Sequence, residues 1–200
     1  MSSDLLAVRL ERPLNEEETA ILLPLLPEER RVRLARILQP EKQAQVLCAY
    51  GLLHWILRER YGWREFPAMT LESQGKPYFA EYASVHFSLS HTDGAALVGV
   101  SDAPIGVDIE KFRRVSARMR ERLSPGKTRE CFFQDWVRRE SFAKRTGRGI
   151  ADLMESEPPQ DGMFSLLKTF PGYFAGAASA DSVPAMARLC TLEELVEFCR

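Results

Sequence analysis

Apolar residues recur along this chain with two different periods, and the changes between them mark its elements. Residues 4–11 alternate loosely and stop at Arg12-Pro13, which predicts a first strand. Asn15 then precedes Glu16, Glu17 and Glu18. A helix cap followed by an acidic first turn predicts a helix there. Pro27 opens a second helical stretch, PEERRVRLARIL, and Pro40 opens the longest one, PEKQAQVLCAYGLLHWILRERYG. In the latter, Val46, Leu47, Tyr50, Leu53, Leu57 and Tyr61 recur at steps of three and four until Gly62 stops the pattern. That helix is expected to run through the core of the first half.

From about residue 68 the period shortens. MTLES, PYF, SVHFSLS, AALVGVS and IGVDIEKF are separated by Gln74-Gly75, Asp93-Gly94 and Ala103-Pro104, and predict a mainly antiparallel sheet. Helical spacing returns over Thr128–Thr146. MFSLLKT, YFAGAASA and ARLCTL then predict three further strands, with an exposed loop, ESEPPQDG, at 155–162. This order predicts an α+β protein of two related layers with a seam near residues 102–106, and the likeness of AALVGVS to YFAGAASA hints at duplication.

Composition sharpens the class. Two hundred residues, 45% of them apolar, can bury a substantial core as one large domain or two closely packed halves. With 27 basic against 28 acidic residues, nothing global draws the chain to nucleic acid or an anionic membrane, so any electrostatic partner signal must be local. Cys48, Cys131, Cys190 and Cys199 form no CxxC pair, which argues against a zinc site or a disulfide framework and for reduced thiols. The start of the chain lacks a basic region followed by a long apolar run, and no segment reaches ~18 consecutive apolar residues. A cytoplasmic protein is expected.

The chemistry-bearing positions cluster late in the sheet pattern. In Gly106-Val107-Asp108-Ile109-Glu110, alternation sends both carboxylates to one face, about 7 Å apart along the strand. A hard cation with oxygen ligands would offset the cost of that pair in a partly dry site, whereas an amphipathic edge strand would leave it solvated. On the later helix, Phe133, Trp136, Val137, Glu140 and Lys144 share one face, so Glu140 lies on an apolar stripe. An exposed Glu140–Lys144 ion pair is the alternative. Ser90 and His91 close an alternating strand whose Val85, Phe87 and Leu89 are expected in the core, and Gly75-Lys76-Pro77 is a turn bearing a cation.

Taken in order, GKP, FSLSH, GVDIE and WVRRESFAK make the chain resemble the 4′-phosphopantetheinyl transferases of the surfactin-synthetase-activating (Sfp) type, over roughly residues 26–178. The resemblance implies two similar α+β halves related by pseudo-two-fold symmetry, antiparallel sheets with packed helices. Residues 1–103 would form the coenzyme A side, and 104–200 would carry the metal-binding helix and the carrier docking surface. It implies transfer of the phosphopantetheine arm of coenzyme A to a serine of an acyl or peptidyl carrier protein. Asp108, Glu110 and Glu140 would bind Mg²⁺, and Glu140, or a water it positions, would take the serine proton. Asp108 and Lys144 would complete the catalytic set. Lys144, Ser90 and His91 would meet coenzyme A phosphates, Lys76 and Pro77 would lie near its adenine, and Arg30 and Arg33 would face the 3′-phosphate.

Three departures stand out. Arg139 replaces a usual Lys, Gln45 stands where Arg is frequent, and the stretch from Glu110 to Trp136 is short, which predicts a trimmed helical excursion. That stretch concentrates charge: residues 111–130 hold eight Lys/Arg against two Glu. The resemblance makes 111–129 the expected dock for an acidic carrier, with a solvated face or a nucleic-acid patch as alternatives. A monomer with no nucleic-acid or membrane partner is expected. Other Mg²⁺-dependent phosphate enzymes, and a non-catalytic relative that binds coenzyme A or a carrier, are the competing readings.

Overall fold

A computed structural model describes residues 3–72, 75–148 and 162–200. The loop expected at 155–162 therefore lies outside the described residues except for Gly162. The first layer is built on β1 (Ser3–Arg9), β4 (His86–Thr92) and β5 (Ala95–Ser101), joined antiparallel in the order β4-β5-β1. β4 and β5 turn at Asp93-Gly94, where Gly94 takes a φ of 77° open to a residue without a side chain. A short pair, β2 (Met69–Leu71) with β3 (Pro77–Phe79), stands beside it.

Helices cover one face of that sheet. α1 (Glu16–Leu22) begins at a reciprocal cap, Glu18 N donating to the Asn15 side chain and Asn15 N to the Glu18 carboxylate. α2 (Glu28–Leu34) follows, then α3 (Pro40–Tyr61), which opens on Pro40 and ends at Gly62 in the left-handed region. α3 is buried on most of its circumference because the sheet lies on one side of it and other helices on the other. Leu6, Val8, Ala96, Val98 and Val100 meet Leu47, Leu53 and Leu57 in the main core.

The alternate residues of the same strands serve a second core. Leu5, Ala7, Ala95 and Leu97 pack on Ile105, Val107, Ile109, Ala175 and Ala177 of the second sheet, as the two-residue period requires. That sheet has the order β6-β8-β7, all antiparallel: β6 (Ile105–Lys111), β8 (Tyr173–Ser179) and β7 (Met163–Leu167). α5 (Arg129–Thr146) lies across it, preceded by α4 (Ala117–Leu123). Between Glu110 and Trp136, where a trimmed helical excursion was expected, and before α5 begins, the chain forms the short helix α4. Ser116 caps it, and Met119 and Leu123 anchor it on Phe132 and Phe133.

The end of the chain departs from expectation. The strand predicted over ARLCTL is only β9 (Arg188–Cys190), which adds to β1 in parallel; α6 (Leu192–Cys199) follows and packs on α3. Thr191 and Glu194 form a capping box, and Leu192, Leu195, Val196 and Cys199 fall at helical steps, so local sequence and burial agree on helix. Among the described residues no helix is long and apolar enough to cross a membrane.

Candidate active site

The seam between the layers is made by side chains. β4 and β6 lie side by side, but their link is a row of hydroxyls at every second residue of β4. Val107 N donates to Ser88 Oγ (3.0 Å), Ile109 N to Ser90 Oγ (3.2 Å) and Lys111 N to Thr92 Oγ1 (3.4 Å). Each hydroxyl keeps a further hydrogen-bonding position. Ser90 donates to Asp108 Oδ1 (2.8 Å) and also accepts from Lys144 Nζ (2.9 Å), so its capacity is filled.

α5 can bring Lys144 there because Gly106 has no side chain. A Cβ at Gly106 would stand 2.0 Å from Ser141 O and 2.2 Å from Arg145 N. Only glycine lets the helix backbone rest on the strand. Phe132, Phe133, Val137 and Phe142 turn the rest of that face inward, and Gly147 ends the helix with a φ of 68°.

The carboxylates are desolvated together. Asp108 is 3% exposed; Lys144 Nζ lies 2.7 Å from its Oδ1, while its buried Oδ2 has no hydrogen-bond partner. Glu110 Oε1 accepts from Trp136 Nε1 (3.2 Å), with Thr92 near Oε2 (3.5 Å) and Arg113 at 3.8 Å. Burial, and then the Asp108 charge, raise the Glu110 pKa. The same two causes, outweighing the opposing Lys144 cation, push Glu140 up to about 7. Among the described residues, no group of three His, Cys, Asp or Glu is drawn together closely enough to hold an ion. Lys144 takes up Asp108 Oδ1 and Trp136 takes up Glu110 Oε1.

A cleft of about 460 Å³ opens beside this cluster, a size suited to a cofactor-like molecule. Val46, Ala49, Tyr50, Phe87 and Leu89 give it an apolar wall; Arg30, Lys76, Lys144 and Arg148 give it cations, with Glu140 and His91 on its border. His91 keeps an exposed edge at the mouth, and crowding on its other side together with the Lys144 charge lowers its pKa. Arg30, Lys76, Pro77, His91, Glu140 and Lys144 are thus gathered around one cleft from both layers.

Other expected residues lie elsewhere. Arg33 is exposed and binds Glu29 at 2.7 Å, away from the lining. Gln45 lines a different cleft with Arg9, Arg12 and Tyr173, because its turn of α3 faces the end of β1. Ser90 sits beneath Asp108 in the seam. Tyr50, Thr92 and Arg148 were not expected at the site from the sequence, Tyr50 being read only as part of the apolar face of α3, although Ser88, Ser90 and Thr92 do share one strand face, a signal readable as a polar seam.

No protein-family model matches the chain. Among curated proteins it is 29% identical to the 4′-phosphopantetheinyl transferase ffp of Bacillus subtilis, over 74% of this chain and 72% of that protein. It is 25% identical to the 4′-phosphopantetheinyl transferase Sfp of Bacillus subtilis strain 168, over 94% of this chain and 98% of that one. Over most of its length the chain is thus similar to curated 4′-phosphopantetheinyl transferases. A relative from Nostoc, the 4′-phosphopantetheinyl transferase HetI, is 29% identical over 72% of this chain and 70% of its own length. The alignment with Sfp runs through the residues of both layers of the seam and is not confined to one motif.

Proposed function

We propose that the protein transfers the phosphopantetheine arm of coenzyme A to a serine of an acyl or peptidyl carrier protein, with Asp108, Glu110 and Glu140 as ligands for Mg²⁺. The observation that carries this is Lys144, paired with Asp108, beside Glu140 at the edge of a cleft that also holds Arg30, Lys76 and His91. A desolvated acidic cluster beside a cationic cleft suits a metal-assisted reaction on a polyanion. The donor set suits a hard divalent cation: all oxygen ligands, an orphaned buried oxygen on Asp108, and two glutamates whose pKa values are raised by burial and then by the Asp108 charge. Bound there, Mg²⁺ would neutralise charge on the pyrophosphate.

The chain's own groups then have assignable work. Arg30 and His91 bind phosphates at the cleft mouth, and Lys144 leaves Asp108 for the pyrophosphate, where its charge favours departure of adenosine 3′,5′-bisphosphate. Glu140, half-buried and with a pKa near neutrality, accepts the serine proton as the new phosphoester forms. Trp136 and Ser90 keep Glu110 and Asp108 aimed.

The two layers, each a long helix on a mainly antiparallel sheet, support reading the fold as two related halves with pseudo-two-fold symmetry. In that reading, residues 1–103 hold the coenzyme side and 104–200 the acidic helix. Exposed Arg113, Arg114, Arg118, Arg122 and Lys127 beside the site make 111–129 the docking surface for an acidic carrier. A cytoplasmic monomer accords with reduced thiols and with a cleft completed inside one chain. Incubating the protein with coenzyme A, Mg²⁺ and an apo carrier, then weighing the carrier, tests the proposal. A gain of the phosphopantetheine mass is expected; no gain with any of several carriers would overturn it.

A further inference from the structure

The ammonium of Lys76 is already engaged. Its Nζ donates to Arg145 O (3.0 Å) and to Ile105 O (3.4 Å), two carbonyls of the other layer. Arg145 lies in the last turn of α5, where carbonyls have no partner within the helix and a cation complements the helix dipole. Ile105 directly precedes Gly106, where the backbone of α5 rests on β6. One ammonium therefore grips both sides of that crossing.

The grip has a firm base. Glu72 N donates to Lys76 O and Gly75 N to Glu72 O, each at 2.8 Å, which ties the turn carrying Lys76 into the β2–β3 hairpin of the first layer. Burial lowers the Lys76 pKa, against the pull of the Glu72 carboxylate, as for a cation solvated by carbonyls instead of water. Two of its three N–H donors are spent before any ligand arrives.

We propose that Lys76 is a positioning residue that clamps the crossing of α5 over β6 from the opposite layer, and is not a ligand for a coenzyme phosphate. Both halves of the acidic cluster hang from that crossing. Glu140 and Lys144 stand five and one residues before Arg145 on α5; Asp108 and Glu110 stand three and five after Ile105 on β6. A helix advances about 1.5 Å per residue, so a slip of one residue at the clamp carries Glu140 and Lys144 out of register with Asp108. The kinetic consequence rests on the transferase reading; the clamp itself does not.

The test compares Lys76→Met, which keeps the apolar stem, with Lys76→Arg, which keeps donors, each checked for fold by thermal melting. Transfer to an apo carrier is measured with coenzyme A and with dephospho-coenzyme A, and amide exchange along α5 by mass spectrometry. Lys76→Met should lower kcat by about tenfold to a hundredfold, with the KM for coenzyme A held within about threefold and the same loss on both donors. Lys76→Arg should recover most of the rate. Exchange at residues 143–147 should quicken in Lys76→Met, with the core strands unchanged. A raised KM with kcat intact, and a penalty that vanishes on dephospho-coenzyme A, would make Lys76 a phosphate ligand and overturn the proposal. Unaltered kinetics and exchange would overturn it equally. If the unaltered protein transfers nothing, the transferase reading falls, and exchange alone decides the clamp: quickened exchange upholds it and unchanged exchange refutes it.

Discussion

The two layers use the same parts to opposite ends. In the first, α3 lies on β4, β5 and β1 with leucines and valines closed on every side, and the core contains few polar groups. In the second, α5 lies on β6 and β8 over a buried Asp108, Ser141, Arg145 and Ser179, and Asp108 Oδ2 and Ser141 Oγ are left without partners. A buried polar group that lacks a partner costs stability, so the second layer carries a cost that the first, among the described residues, does not. Stability and chemistry are thereby separated in space, and mutation can dissociate them.

The strongest break in that comparison comes at Glu140. Glu140→Gln should abolish transfer, by at least about a thousandfold, yet raise the stability of the metal-free protein. The sign follows from linkage. A carboxyl whose folded pKa is raised from the ordinary range to about 7 binds its proton more tightly in the folded state. The penalty is absent below the unfolded value, grows as pH climbs towards 7, and is complete above it. Urea unfolding should therefore show Glu140→Gln ahead by about 1–3 kcal/mol at pH 8 and nearly level with the unaltered protein at pH 4.5. An equal difference at both values would place the effect elsewhere.

Leu53→Ala should do the converse. The side chain is wholly buried in the first core, so about 2–5 kcal/mol should be lost in urea unfolding, while the folded protein keeps its kcat. A collapse of kcat in a folded sample would show that the layers are not separable. A smaller effect is expected on the surface of the second layer. Reversing Arg113, Arg114 and Arg118 to Glu should raise the carrier KM about tenfold at low salt, less at high salt, and leave coenzyme A binding within about twofold. An unchanged carrier KM would make the basic stretch a bystander. Arg33→Ala marks the floor: its exposed pair with Glu29 should be worth less than about 0.5 kcal/mol, and the KM for coenzyme A should not move. A clear rise in that KM would return Arg33 to the cleft.

Much of this was legible in the chain. The Asn15 cap, the extent of α3 between Pro40 and Gly62, and the strands around Phe87, Val98 and Val107 all follow from short-range periodicity and end signals. α6 was readable too, since Thr191 and Glu194 form a capping box, but the apolar run ARLCTL before it suggested a strand that burial beside β1 realises for only three residues. The outcome at Arg30 and Arg33 was not readable. They stand three apart on one short helix, yet one lines the cleft and the other pairs with Glu29 in solvent.

Local pattern alone determined the elements, the inward face of α5 and the two carboxylates sharing one side of β6, because such properties depend on neighbours within a few residues. The tertiary structure decided the rest. Ser90 beneath Asp108, Trp136 on Glu110, Lys144 in the seam and Lys76 across the α5–β6 crossing join residues 18 to 69 positions apart. No periodicity encodes such pairs. They exist because a helix can rest on a strand only where Gly106 leaves room, and that contact settles which distant side chains meet.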